Sequence, residues 1–173
     1  MSFVYKAYEV DIRRSDPSEP PLTINNTEEL VAVIKEYYNG LDREVILSCV
    51  MDDANRLLGI YEVAKGATGN VEFAFATALR PAVLMGATKV ILVHNHPSGD
   101  ITPSDQDVQM AKGMFICASM LDMESLDSII IAGSGYGSVH SHPEFQRWVE
   151  NDLAVIAQAF TGEGYGDAQT DAV

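Results

Sequence analysis

Hydrophobic and polar positions along the chain follow two periods, and the changes between them predict its elements. Residues 3–14 alternate as a strand does, and Ser15-Asp16-Pro17-Ser18-Glu19-Pro20-Pro21 then interrupts the pattern, because proline sustains neither a helix interior nor a central strand. Over residues 27–39 the period becomes helical. Leu30, Val31, Ile34, Tyr37 and Tyr38 recur on one face up to Gly40, and Asn26 with Glu29 three residues on reads as a capping box. Aliphatic and β-branched runs at 44–50 and 56–63 flank Asp52-Asp53-Ala54-Asn55, whose turn chemistry predicts a hairpin. A helical stretch at 77–86 leads into Lys89-Val90-Ile91-Leu92-Val93, a continuous apolar run of the kind found in a strand buried on both faces. A helix at 105–121, a strand at 128–132 and a helix at 143–160 complete the pattern. The Gly-rich, polar stretch 161–173 is expected to be disordered.

This alternation of strands and helices predicts an α/β fold. Its organisation is expected to be an N-terminal strand, linker and helix over 1–41, a main domain over 42–160, and the tail over 161–173. Length and composition agree with one principal core: 173 residues, 47% hydrophobic and 21% charged, suffice for one globular domain. No stretch approaches the roughly 18 apolar residues of a membrane span, and the N-terminus lacks a basic-then-apolar leader, so a cytoplasmic protein is expected. Cys49 and Cys117 lie far apart in apolar surroundings and form no C-x-x-C pair, which favours two buried structural thiols.

Charge narrows the partners. With 11 Lys+Arg against 25 Asp+Glu the formal charge is -14, the wrong sign for neutralising a phosphate backbone, so direct nucleic-acid binding is disfavoured. An acidic surface keeps a protein soluble and suits a basic protein partner.

The chemistry concentrates in His94-Asn95-His96-Pro97-Ser98-Gly99-Asp100-Ile101-Thr102-Pro103-Ser104-Asp105-Gln106-Asp107. In extended backbone His94 and His96 point the same way with Asn95 opposite, which lets two imidazoles reach one ion. After seven intervening residues Ser104-x-x-Asp107 returns a carboxylate to the same region. Two histidines and one carboxylate leave a tetrahedral ion one open position for water, the mark of a catalytic rather than a structural zinc site. Ser104 and Asp107 also form a capping box before an apolar run. The two roles are compatible, because a carboxylate fixed at a helix start is already oriented.

A second H-x-H-P, His140-Ser141-His142-Pro143, follows the glycine-rich Gly133-Ser134-Gly135-Tyr136-Gly137 and lacks a following S-x-x-D; it is read as the cap of the last helix. The letters His94-Asn95-His96 match the HNH nucleases only by accident, since those enzymes draw their residues from separate elements. Hydrolysis also needs a proton shuttle. Glu62, near the end of the second hairpin strand, and Glu72 in the next segment are the candidates, and spacing does not choose between them.

The arrangement H-x-H-x7-S-x-x-D with an upstream glutamate resembles the JAMM signature of MPN-domain metalloproteases. The run His94-Asn95-His96-Pro97-Ser98-Gly99 with Pro103-Ser104-x-x-Asp107 resembles its RadC-like (JAB) branch. The likeness extends from about Asp42-Arg43-Glu44 to Ser138 and includes Asn55-Arg56-Leu57-Leu58, Gly66 and Asp127. It implies a mixed β-sheet flanked by helices and one zinc ion held by His94, His96 and Asp107. It further implies Glu62 as general acid/base and Ser104 as a hydroxyl steadying the oxyanion. Two positions depart from the pattern: Phe75-Ala76-Thr77 stands where Pro-Arg-Glu is common, and Ser128 where a histidine usually follows the aspartate. A helix-hairpin-helix region is not expected before the domain, so the DNA-repair association of the family name transfers poorly.

Three functions are consistent with these features. The leading one is a zinc-dependent hydrolase of a peptide or isopeptide bond. The alternative is a zinc-containing accessory protein of DNA-repair or mobile-element complexes with little turnover. A metal-dependent nuclease ranks last on charge.

Overall fold

Five strands build one mixed sheet whose central strands are the most hydrophobic segments of the chain. A computed structural model describes residues 20–66, 74–133 and 135–151. The expected strand at 3–14, Glu72, the tail 161–173 and the last helix beyond Asn151 lie outside the described residues. The elements are α1 (Thr27–Ile34) with a 3₁₀ turn (Lys35–Tyr38), β1 (Val45–Met51), β2 (Leu57–Lys65), α2 (Phe75–Met85), β3 (Lys89–Asn95), α3 (Asp105–Ser119), β4 (Glu124–Ala132), β5 (Gly135–Ser138) and α4 (Pro143–Asn151). The strand order is β2-β1-β3-β4-β5, antiparallel except for the β3–β4 pair.

That one parallel pair decides where functional side chains collect. Connecting β3 to β4 in parallel requires a crossover, and α3 supplies it, so the loop entering α3 lies at the carboxyl end of β3. His94 and His96 are carried to the same end.

Helices cover both faces. On one face Leu30, Ile34 and Tyr38 pack against Leu47, Cys49, Val93, Ile129 and Ile131. On the other, α2 and α3 pack Ala78, Leu79, Ala82 and Met114 onto Ile46, Val50, Val90 and Leu92. Val108 and Ala111 of α3 and Phe145 and Trp148 of α4 close over Ile130. Strands enclosed this way read as continuous apolar runs rather than alternating ones, which is why every residue of β1 is buried.

The hairpin turn forms as its sequence predicts. Asp52 Oδ1 accepts from the amides of Ala54 and Arg56, and Asn55 takes the left-handed backbone at φ 59°. Asn26 caps α1 by accepting from the Glu29 amide at 2.9 Å, but the returning Glu29 carboxylate bonds the amide of Asn25 rather than that of Asn26. The predicted helix 27–39 is α-helical only to Ile34 and finishes as the 3₁₀ turn.

Two stretches of strand were not expected. β4 starts at Glu124 rather than 128, because Glu124 and Ser125 pair with Lys89 and Val90. β5, a glycine-rich stretch to which the sequence pattern assigned no element, is a strand because β4 supplies its hydrogen-bonding partners; its two glycines have low β-propensity. No described helix is long and apolar enough to cross a membrane.

Candidate metal centre

β3 delivers both histidines. His94 pairs with Ile46 on one side and Ile130 on the other, in the row of side chains that faces α2 and α3. His96 lies just past the strand, its amide still donating to Ile131 O at 3.0 Å. Asp107 comes from the first turn of α3. The Ser104 hydroxyl donates to Asp107 Oδ2 at 2.5 Å and accepts from the Asp107 amide at 3.2 Å, while the Ser104 amide donates to Oδ2 at 2.7 Å. The predicted capping box is therefore present, and it leaves the other carboxylate oxygen, Oδ1, to His94.

His94 Nε2 lies 2.9 Å from Asp107 Oδ1, His96 Nε2 lies 3.5 Å from Oδ2, and the two Nε2 atoms are 3.1 Å apart. All three ligand atoms fall within 4.8 Å of one another, the one His/Cys/Asp/Glu group of this kind among the described residues. His94 is fully buried and Asp107 nearly so.

The donor set fits a divalent ion. His96 Nδ1 lies 2.8 Å from the Asp100 carbonyl; because a carbonyl only accepts, Nδ1 carries a proton, and Nε2 is the nitrogen that would ligate an ion. Two ring nitrogens and a carboxylate converging this closely could share one divalent cation. Burial alone would raise the Asp107 pKa, but hydrogen bonds from His94, His96 and Ser104, with the His94 charge, outweigh it and hold the carboxyl well below its ordinary range. His96 is raised, chiefly by its bond to Asp107 and against the effect of burial, with the Asp100 carbonyl and the charges of Asp107 and Glu44 adding to it. Zinc suits two imidazoles and a carboxylate, a set that other first-row ions also accept. Two buried polar atoms on this face of β3 and β4, His94 Nδ1 and Ser128 Oγ, have no hydrogen-bond partner among the described residues. Ser128 is the position where the resemblance leads one to expect a histidine.

The structure places Glu62 away from these three residues. Its carboxylate accepts the Tyr37 hydroxyl and lines a small pocket with Val33, Ile34, Leu47 and Ile60, on the α1 face of the sheet. A bulge is the cause. The pairs Val45–Lys65 and Ile46–Ala64 are followed by Leu47–Glu62, so Val63 is the extra residue. In unbroken register Glu62 would stand opposite Ser48, on the histidine face; one inserted residue turns it to the other. The sheet now separates Glu62 from the candidate centre.

A different carboxylate, Glu44, stands on the histidine side of the sheet. It directly precedes β1, and alternation puts it on the side of Ile46 and His94, at the position facing His96 if the β1–β3 register is continued. Asn95 fixes this stretch: its Oδ1 accepts from the Val45 amide at 2.8 Å and its Nδ2 donates to the Arg43 carbonyl at 3.0 Å. The two backbone groups that flank Glu44 are thus held by one buried amide. The middle residue of H-N-H, to which the sequence reading assigned no role, extends the ladder where β3 turns away.

His140 and His142 do not join the centre. His142 Nδ1 accepts from the Glu144 amide and its carbonyl from the Gln146 amide, capping α4, while the His140 ring stacks on Phe145 at 4.1 Å. A cleft of about 540 Å³ opens beside His96, with Val31, Lys35, Tyr38, Asn95 and Ile131 among its walls.

Comparison with known proteins agrees with this architecture. The UPF0758 protein of Desulforudis audaxviator is 31% identical over 123 residues, covering 71% of this chain and 54% of that protein. The UPF0758 protein of Desulforamulus reducens is 30% identical over 125 residues, 72% of this chain and 55% of that one. The UPF0758 protein of Enterococcus faecalis is 29% identical over 122 residues, 70% and 53% respectively. The chain thus spans about half the length of the curated relatives it matches. The family described as the RadC-like JAB domain matches residues 24–144, a range that contains the sheet, α1 to α3 and every residue of the candidate centre. With this match added to the histidine–aspartate geometry, the chain belongs to the RadC-like JAB domain family.

Proposed function

We propose that this protein is a metal-dependent hydrolase of peptide or isopeptide bonds, with His94, His96 and Asp107 holding one zinc ion and Glu44 moving the proton. The observation that carries the reading is the convergence of three ligand atoms within 4.8 Å, with a second carboxylate, Glu44, on the same face of the sheet. When bound, such an ion supplies Lewis acidity, acidifying water and polarising a carbonyl.

The remaining work falls to the chain. The Asp100 carbonyl keeps a lone pair on His96 Nε2, and Ser104 holds Asp107 in its ligand orientation. Glu44 accepts a proton from the attacking water and returns it to the leaving nitrogen, so the amide C–N bond breaks with no net proton change. Ser104 Oγ donates to Asp107 at rest; rotated about χ1, it would donate to the oxyanion instead. The cleft beside His96 receives the substrate on one side of the scissile bond, and a protein substrate with basic segments suits the charge of -14.

Glu62 has no part in this scheme. The test is hydrolysis of peptide and isopeptide substrate panels by the zinc-loaded protein. Glu44→Gln is expected to lower kcat by about 10²–10⁴-fold, the usual worth of a positioned acid/base, while Glu62→Gln keeps the wild-type rate. Turnover that survives Glu44→Gln, or that is indifferent to chelator, would overturn the reading. A zinc-loaded protein that turns over no substrate favours the accessory role.

A further inference from the structure

The glycine-rich stretch before α4 lies in β5 and touches the loop that carries the candidate centre. We infer that Gly137 is a positioning residue for His96: by lacking a side chain it lets the loop between His96 and Ser104 settle at the one height that keeps the His96 ring turned toward Asp107. This inference rests on the metal-site reading above.

The argument starts from register. Ile46, His94, Ile130 and Gly137 form one row across four adjacent strands, since Ile46 pairs with His94, His94 with Ile130 and Ile130 with Gly137. Directly paired residues share a face, so position 137 faces the same side as His94, about 10 Å away at two strand spacings. Every other member of the row fills that face with a buried side chain. At 137 the space is taken by the loop backbone. A Cβ there would overlap the carbonyl oxygen of Ile101, with the Ile101 carbonyl carbon at 3.4 Å and its Cβ at 3.5 Å. The obstacle is main chain, so it cannot yield by changing rotamer.

Ile101 follows directly on the residue that orients the metal ligand. The Asp100 carbonyl accepts from His96 Nδ1 at 2.8 Å. The turn between them is closed by Gly99 N to His96 O at 3.0 Å, Gly99 at φ 87°, and Thr102 N to Asp100 Oδ1 at 2.8 Å. Lifting Ile101 off β5 therefore displaces the Asp100 carbonyl and frees His96 to rotate or to carry its proton on Nε2, the nitrogen that must stay bare to ligate. Gly135, two residues earlier, is the internal comparison. A Cβ at that position meets only Ile101 Cδ1, at 4.0 Å, an ordinary contact.

The experiment compares wild type, Gly135→Ala and Gly137→Ala by two readouts. One is the neutral His96 tautomer in metal-free protein at alkaline pH, from two-bond ¹⁵N–¹H correlations; the other is zinc affinity by competition with a chromophoric chelator. Wild type and Gly135→Ala are expected to show the Nδ1–H tautomer and equal affinity. Gly137→Ala is expected to lose that tautomer and to bind zinc about 10–100-fold more weakly, the range for losing the partner that orients a metal-binding histidine. Retention of both properties in Gly137→Ala would overturn the inference. If that variant does not fold, Asp100→Ala, at an exposed position, releases the same turn from its outer side, and an unchanged tautomer there overturns it equally. Zinc binding absent from wild type would refute the metal-site reading, and the tautomer comparison would still decide the role of Gly137.

Discussion

Replacing Asp107 by alanine separates its two roles, because the capping box and the metal ligand share one carboxylate. In the metal-free protein the change removes the acceptor of the Ser104 amide, at 2.7 Å, and of His94 Nε2, at 2.9 Å. The Asp107 side chain is only 8% exposed and that of His94 0%, so solvent replaces little of what is lost. Each unsatisfied buried group costs about 1–3 kcal/mol. Loss of the charged groups that Asp107 now pairs offsets part of this, so a net cost of about 3 kcal/mol is expected. For a chain of this size 1 kcal/mol moves Tm by about 2–4 °C, giving a drop of roughly 6–12 °C. Zinc adds a second, independent signal. At a free concentration about 100 times Kd it should stabilise wild type by about 2.7 kcal/mol, or roughly 5–11 °C, and should not stabilise Asp107→Ala. Ser104→Ala is the control: it loses the N-cap, worth about 1 kcal/mol, and keeps most of the zinc increment, because the amide of residue 104 still donates to Asp107 Oδ2. The assay is thermal unfolding with excess chelator and with buffered zinc. A zinc increment in Asp107→Ala equal to that of wild type, or none in wild type, would refute the reasoning.

Further outcomes are specific to other parts of the fold. Asn95→Ala leaves the Val45 amide and the Arg43 carbonyl without their partner; a loss of about 2–4 kcal/mol by urea titration is expected, with faster hydrogen exchange at Val45. Burial lowers the His140 pKa, against the opposing charge of Asp127 and a bond to the Leu126 backbone. The unfolded chain therefore binds that proton first, and stability present above the ordinary histidine pKa of about 6.5 is lost as pH falls through and below it. His140→Phe should flatten this acid limb of the urea midpoint; an identical limb in both proteins would refute it. Burial pushes the Cys49 thiol up to about 12, while Cys117 is partly accessible. Iodoacetamide at mildly alkaline pH should label Cys117 and spare Cys49 in the folded protein, read by peptide mass mapping.

Much of this protein was legible in its residues because the relevant forces are local. Alternation in an extended chain is enough to put His94 and His96 on one side of β3. Ser104 and Asp107 are joined by a capping box whose atoms are three residues apart, and Asp52 and Asn55 make their turn from their own side chains. Continuous apolar runs likewise announced an enclosed sheet. The tertiary structure decided what depends on partners distant in the chain. Gly135–Ser138 becomes a strand only because β4 offers its edge, and Asn95 acquires its role only because Arg43 and Val45 pass beside it. The choice between carboxylates is the clearest case. Glu62 inside β2 and Glu44 just before β1 are both ionisable, but a single extra residue, Val63, sets Glu62 against Tyr37, while alternation from Ile46 puts Glu44 on the side of His94. A bulge reverses a face through the hydrogen bonding of two strands together, so its effect on Glu62 could be read only after β1 and β2 were paired.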